Sequence, residues 1–159
     1  YANGQRGYDG DDLIAELQKN GVTVLQDQSV LIDDRFYLVG RQDASEEKDF
    51  GGGRAAISDL TKNLDKDKYT IVLDHQPNDY DAEAAAGVDL VLSGHTHGGQ
   101  MIPMVQLMRW FHIGGGDNVY GFEQRGNTNF IVTSGISDWA LQFKTGTRSE
   151  YVIIDVQGK

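Results

Sequence analysis

Apolar and polar residues alternate along this chain in two rhythms, one helical and one strand-like. From 10 to 20, Leu13, Ile14 and Leu17 recur at helical spacing among polar neighbours, which predicts a helix with one apolar stripe. Asp11 and Asp12 suit its positive end, Lys19 its negative end, and Gly21 stands where a left-handed cap is wanted. The runs VTVL (22–25), SVLI (29–32) and FYLVG (36–40) read as short strands, the last two joined by a turn at Asp33 and Asp34. The charged, glycine-rich stretch 43–53 reads as a loop. Residues 54–64 read as a second helix with Ala56, Ile57, Leu60 and Leu64 on one face.

The pattern then changes to nearly unbroken apolar runs. YTIVLD (69–74) and VDLVLS (88–93) read as strands covered on both faces, and 78–87 between them as a short helix ending at Gly87. Strand, helix and strand with short links make a βαβ unit, so the two strands are expected to run parallel. MIPMVQLMRWF (101–111) is apolar nearly all round as a helix. IGGGDN (113–118) reads as a loop, 119–124 and 128–135 as a hairpin through Arg125, Gly126 and Asn127, and SEYVIIDV (149–156) as a last strand. No internal repeat or linker divides the chain. The fold class is α/β, in one domain over residues 1–159.

Composition narrows the function classes. The net charge is −10, spread without a solid acidic block, so no face suits a nucleic-acid backbone and no nucleic-acid partner is expected. There is no cysteine, which excludes disulfides and thiolate metal sites. No apolar run approaches the roughly 18 residues a membrane span needs. The chain starts at Tyr1, and further sequence upstream is expected. Any targeting segment or anchor would belong to that upstream part, so localisation is open and includes membrane association through such a segment.

Two of only four histidines, His95 and His97, stand one residue apart directly after a buried strand. His75 follows the other strand of the βαβ unit. Parallel strands bring all three to the carboxyl edge of the sheet, where open α/β sheets place their ligands. Glycines 94, 98 and 99 give the turn the freedom to aim both histidines inward. An isolated H-x-H binds metal only in a minority of cases; three histidines at one edge make metal the better reading. His112, beside Trp110 and Phe111, reads as packing or surface. The glycine runs at 51–53 and 114–116 lack the strand–G-x-G-x-x-G–helix setting of a nucleotide loop. Ser134 and Ser137 lack the G-x-S-x-G elbow of a serine hydrolase.

GHTHGGQ (94–100) together with LDHQP (73–77) resembles the calcineurin-like metallophosphoesterase superfamily, in particular its bacterial, often membrane-associated branch. NGVTVLQDQSV (20–30), YLVGRQD (37–43), AGVDLVLSGHTHGGQ (86–100) and GTRSEYVIIDV (146–156) fit the same branch. The resemblance implies one sheet of an α/β/β/α sandwich, the parallel βαβ unit carrying the metal histidines, and a C-terminal hairpin. It also shows what this chain lacks: the family's D-x-H, G-D and G-N-H-D/E motifs. A stretch like YANGQRG follows the third of these in such proteins, so the chain is expected to be the C-terminal half of the domain, its N-terminal half absent.

By the same resemblance, His75 and His95 match ligands of the second metal of a dinuclear site, and His97 a ligand of the first. The bridging aspartate, the asparagine ligand and the proton-donating histidine have no counterpart. The implied activity is metal-dependent hydrolysis of phosphomonoesters or phosphodiesters by the parent protein, with two divalent transition metals (Mn, Fe or Zn). Three imidazoles without bridging carboxylates cannot hold two dications side by side, so this chain alone is expected to be inactive. It would bind at most one metal weakly, with Zn, Ni or Cu favoured over Mg or Ca. Asp74, next along the strand, is expected to face away from His75. The alternative is a non-catalytic module that binds a metal or a partner. The missing half, or a dimer partner, is the expected cover for the sheet.

The 101–111 segment has two readings. It packs into the core or under the missing half, or it forms an apolar lip serving a lipid-linked phosphoester or a membrane surface. Met104 and Trp110, with Gly98 and Gly99 in the turn, are the substrate-side candidates.

Overall fold

A computed structural model describes residues 10–44, 53–111, 118–139 and 142–157, without the side chains of 105 and 109. His112, Gly51, Gly52 and the glycines at 114–116 lie outside the described residues. The elements are α1 (Gly10–Lys19), β1 (Gln28–Ile32), β2 (Phe36–Gly40), α2 (Ile57–Thr61), β3 (Tyr69–Leu73), α3 (Tyr80–Ala86) and β4 (Leu90–Ser93). A single 3-10 turn (His97–Gly99), α4 (Met104–Phe111), β5 (Gly121–Arg125) and β6 (Thr128–Val132) follow.

The six strands form one sheet in the order β1-β2-β3-β4-β6-β5. The inner four run parallel, and β1 and β5 pair antiparallel at the edges. Both edge strands arise from tight hairpins. In the three-residue loop 33–35, Asp33 and Asp34 take left-handed backbone (φ 50° and 56°) and Arg35 N–H closes the turn on the Ile32 carbonyl; in the two-residue loop 126–127, Gly126 is left-handed (φ 58°). The βαβ unit is β3–α3–β4. Its helix ends at Gly87 in the left-handed conformation, with the Gly87 N–H bonded to the Ala84 carbonyl. α1 ends likewise at Gly21: Gly21 N–H reaches Gln18 and Val22 N–H reaches Leu17, the paired bonds of a Schellman cap.

The two faces of the sheet differ. On one, Val39, Val72, Val91 and Phe130 stand in a row across β2, β3, β4 and β6, all fully buried. Ile57 of α2 and Tyr80 of α3 cover them, and Tyr80 stacks on Phe130 at 3.9 Å between ring centres. On the other face, Leu38, Ile71, Leu92 and Ile131 are only half-buried and Leu73 is exposed. α1 covers little of this: none of its residues is buried, and Leu13 and Leu17 face solvent.

Three expectations are corrected. VTVL forms no strand; it passes alongside β2, and a side-chain carbon on Gly40 would overlap Leu25. SEYVIIDV forms no strand either, because among the described residues no strand is paired with it, and Tyr151, Val152, Ile153, Ile154 and Val156 stay exposed. The 54–64 helix is regular only from Ile57 to Thr61. Arg54 lies in the loop before it and is bound elsewhere.

Candidate metal centre

Ladder hydrogen bonds continue past the strand ends. Asp74 N–H donates to the Leu92 carbonyl, and Gly94 N–H to the His75 carbonyl. His75 therefore lies beside the start of the G-H-T-H turn. The rings of His75 and His95 meet edge to face, 5.1 Å between centres and 84° between planes. His75 Nε2 and His95 Nδ1 are 3.4 Å apart.

The turn itself is strained. Its freedom comes from different positions than expected: Gly94 has no left-handed backbone, whereas His95 (φ 65°), His97 (φ 50°) and Gln100 (φ 47°) do, with Gly98 and Gly99. Non-glycine residues hold that conformation only where their surroundings fix it, and they cluster at functional sites. Here the surroundings are specific. Thr96 Oγ1 accepts from Gly98 N–H and donates to the Val119 carbonyl. Thr147 Oγ1 donates to the His97 carbonyl. The Gln100 side chain donates to the Trp139 and Phe143 carbonyls and accepts from Trp139 N–H. The Gln100 backbone carbonyl accepts from Thr145 N–H and Gly146 N–H. Gly98 and Gly99 are buried; a side-chain carbon on Gly98 would overlap Thr147 Cγ2.

His97 points elsewhere. Its Nδ1 lies 3.0 Å from the Ser137 carbonyl. A carbonyl only accepts, so Nδ1 carries the proton and Nε2 keeps its lone pair. That is how an imidazole is oriented for metal binding. Burial, and next the adjacent His75 ring, push the His95 imidazole below its ordinary value, which favours the neutral ligand form. Asp74, as expected, turns away from His75: its buried carboxylate binds Arg41 Nη1 at 2.9 Å and Arg54 Nη1 at 2.9 and 3.0 Å.

The 3.4 Å between the two ring nitrogens suits a shared hydrogen bond and also a pair of ligands on one ion. A tetrahedral ion with bonds of about 2.0–2.1 Å sets its ligand nitrogens roughly 3.4 Å apart. Among the described residues no group of three or more histidine or carboxylate side chains converges on one point. Ser134 and Ser137 are engaged with the Arg148 and Asp138 carbonyls, in no nucleophile arrangement.

Two apolar segments flank the turn. Met104, Trp110 and Phe111 of α4 are exposed, Trp110 by 76%, while Leu107 and Met108 are half-buried. Sequence reading missed the second, at 136–139 and 142–143, where Ile136, Trp139 and Phe143 are exposed and Gln100 ties Trp139 and Phe143 to the histidine turn. It also missed Arg41 and Arg54. A buried-strand end followed at once by arginine, as in YLVGRQD, was the available signal.

A family model described as calcineurin-like phosphoesterase matches residues 6–99, a span that includes all three histidines. The uncharacterized metallophosphoesterase Cj0846 of Campylobacter jejuni is 37% identical over 107 residues, 65% of this chain and 27% of that protein. An uncharacterized metallophosphoesterase of Aquifex aeolicus is 33% identical over 147 residues, 90% of this chain and 54% of that protein. The uncharacterized metallophosphoesterase YkoQ of Bacillus subtilis is 25% identical over 142 residues, 84% of this chain and 49% of that protein. The chain thus spans from about a quarter to about half the length of these curated relatives. No solved structure matches it significantly.

Proposed function

The chain belongs to the calcineurin-like phosphoesterase family, whose members work with divalent metals, and from that membership we propose that it carries part of a dinuclear site for phosphoester hydrolysis. His75 and His95 are the pair for one metal, and His97 the ligand for the other. The observation that carries this reading is the 3.4 Å between His75 Nε2 and His95 Nδ1. The metals, Mn, Fe or Zn, would neutralise charge on the phosphoryl group and activate the attacking water. The chain's own residues do the placing. Ser137 fixes the His97 ring, and burial favours the neutral form of His95.

Residues 1–159 are read as the C-terminal half of the catalytic domain. The half-covered sheet face around Leu73 and the exposed 151–156 segment support a second layer, supplied by the rest of a longer protein or by a dimer partner. On this reading the remaining ligands come from that layer. Metal analysis and a chromogenic phosphodiester assay on the full-length protein test it. Metal-dependent turnover lost in His75→Ala and His95→Ala is expected; a metal-free, inactive full-length protein overturns it.

A second reading has one observation in its favour, the absence of a third converging ligand among the described residues. On that reading the His75–His95 contact is a shared hydrogen bond in a non-catalytic binding module.

The substrate side is read from the exposed apolar residues of α4 and of 136–139 and 142–143. They form a lip beside the site suited to a lipid-linked phosphoester or a membrane surface. Among the described residues no helix is long and apolar enough to cross a membrane. Replacing Met104, Leu107 and Met108 with serine should leave hydrolysis of a small soluble diester intact and reduce liposome binding. Equal loss of both with the melting temperature would contradict the lip.

A further inference from the structure

Around the link that carries His75 lies a buried charge cluster that no feature of the proposed metal site accounts for. Arg41 Nη1 binds Asp74 Oδ2 at 2.9 Å and Glu83 Oε1 at 3.2 Å, and Arg41 Nη2 binds Asp79 Oδ2 at 2.9 Å. Arg54 Nη1 binds both Asp74 oxygens, and Arg54 Nη2 binds Asn78 Oδ1 at 3.2 Å. The side chains of Arg41, Asp74 and Glu83 are almost wholly buried, and Arg54 nearly so.

The partners share one segment. Asp74, Asn78 and Asp79 all lie on the link between β3 and α3, the link that carries His75. Asp74 Oδ1 also accepts from Gln76 N–H, and the Gln76 side chain reaches Asp43. The arginines are themselves fixed. Asp27 accepts from Gln42 N–H at 2.9 Å and from Ala55 N–H at 2.7 Å, the residues directly after Arg41 and Arg54. One carboxylate thus sets the backbone beside both arginines, and both arginines grip the link on either side of His75.

We propose that Arg41 and Arg54, set by Asp27, are positioning residues for His75: they hold its ring at the spacing from His95 that one metal ion needs. The physics favours this over mere stability. Burying two guanidinium groups with three carboxyls costs desolvation that a well-packed apolar cluster would not, so such clusters are weak sources of stability. What several charge-assisted hydrogen bonds from the fixed fork of a guanidinium to partners spread along one link supply is geometric definition. The link contains no left-handed residue, unlike the turn at 95–100, and three of its six side chains, Asp74, Asn78 and Asp79, are tied to the two arginines. The inference rests on reading His75 and His95 as ligands.

The test uses the full-length protein, with Arg54→Met, Arg54→Lys and wild type compared. Two readouts are taken: ring-nitrogen NMR resonances of His75 and His95 in the metal-free protein, and Zn(II) affinity by competition with a chelator. Arg54→Met should shift the His75 resonances and lower affinity at the His75–His95 metal about tenfold, with Arg54→Lys partly restoring both. Folded Arg54→Met with unchanged resonances overturns the proposal. So does a uniform weakening of both metals in step with the melting temperature. If wild type binds no Zn(II), the hydrolase reading fails, while the ring resonances still decide the positioning role. Where Arg54→Met does not fold, Asp27→Asn carries the same comparison.

Discussion

The turn that carries His75 and the turn that carries His97 leave neighbouring parallel strands at the same sheet edge, yet they are held by different means. The 74–79 link is gripped by two buried arginines through Asp74, Asn78 and Asp79. The 95–100 turn contains no ionic grip of that kind; left-handed backbone at five of its six residues and the hydrogen bonds of Gln100 and Thr147 define it. Charge fixes one histidine and backbone geometry the other. Charge is directional but depends on pH and on every partner being present. The left-handed turn depends on the hydrogen bonds that fix its non-glycine residues and on the absence of a side chain at Gly98.

The comparison breaks first at Asp74. Asp74→Ala removes a buried carboxylate from both Arg41 and Arg54; breaking a buried pair costs about 3–5 kcal/mol, and the remaining Asp79 and Glu83 contacts put this loss at the low end, about 3 kcal/mol. Urea denaturation should show that loss. Next comes Gly98→Ala. At φ 61°, with Thr147 and Ser134 against the new carbon, left-handed strain and overpacking together cost about 2–4 kcal/mol. The same denaturation experiment measures it, and Thr147→Ala in the same chain should recover part of it. Gln100→Ala removes three side-chain bonds to Trp139 and Phe143, which sums to about 1–3 kcal/mol. Increased Trp139 fluorescence quenching by acrylamide should accompany it.

The smallest effect per step is the dependence on pH, and it separates the two turns most cleanly. Burial, and next the neighbouring Asp74 charge, raise the Glu83 carboxyl to about 8, against the pull of Arg41. The folded chain therefore holds a proton that the unfolded chain releases above its ordinary carboxylate range. Glu83 contributes stability fully present below that range and lost as pH rises toward 8. Melting temperature measured from pH 5 to 8 should fall, and Glu83→Gln should flatten the fall. Gln100→Ala should leave the slope unchanged.

What could be read from sequence follows the same division. The inner strands were legible because YTIVLD and VDLVLS are apolar on both faces, and the hairpins because Asp33, Asp34 and Gly126 tolerate left-handed backbone. VTVL and SEYVIIDV look like strands for the same β-rich composition, but strand formation depends on a partner, which neither has among the described residues. The meeting of His75 and His95 was legible from parallel strands and ring position. The grip behind His75 was not: Asp27, Arg41, Arg54, Asp74, Asp79 and Glu83 are scattered over more than fifty residues, and only the fold collects them. The apolar segment at 136–139 and 142–143 stayed hidden because no periodicity marks it.

The central claim is that His75 and His95 together hold one metal ion. Anomalous diffraction at the zinc or manganese edge, from metal-soaked crystals of the full-length protein, tests it directly. The account predicts a peak within bonding distance of both His75 Nε2 and His95 Nδ1, absent in His95→Ala. A metal bound elsewhere, with those two nitrogens still sharing a hydrogen bond, would contradict it.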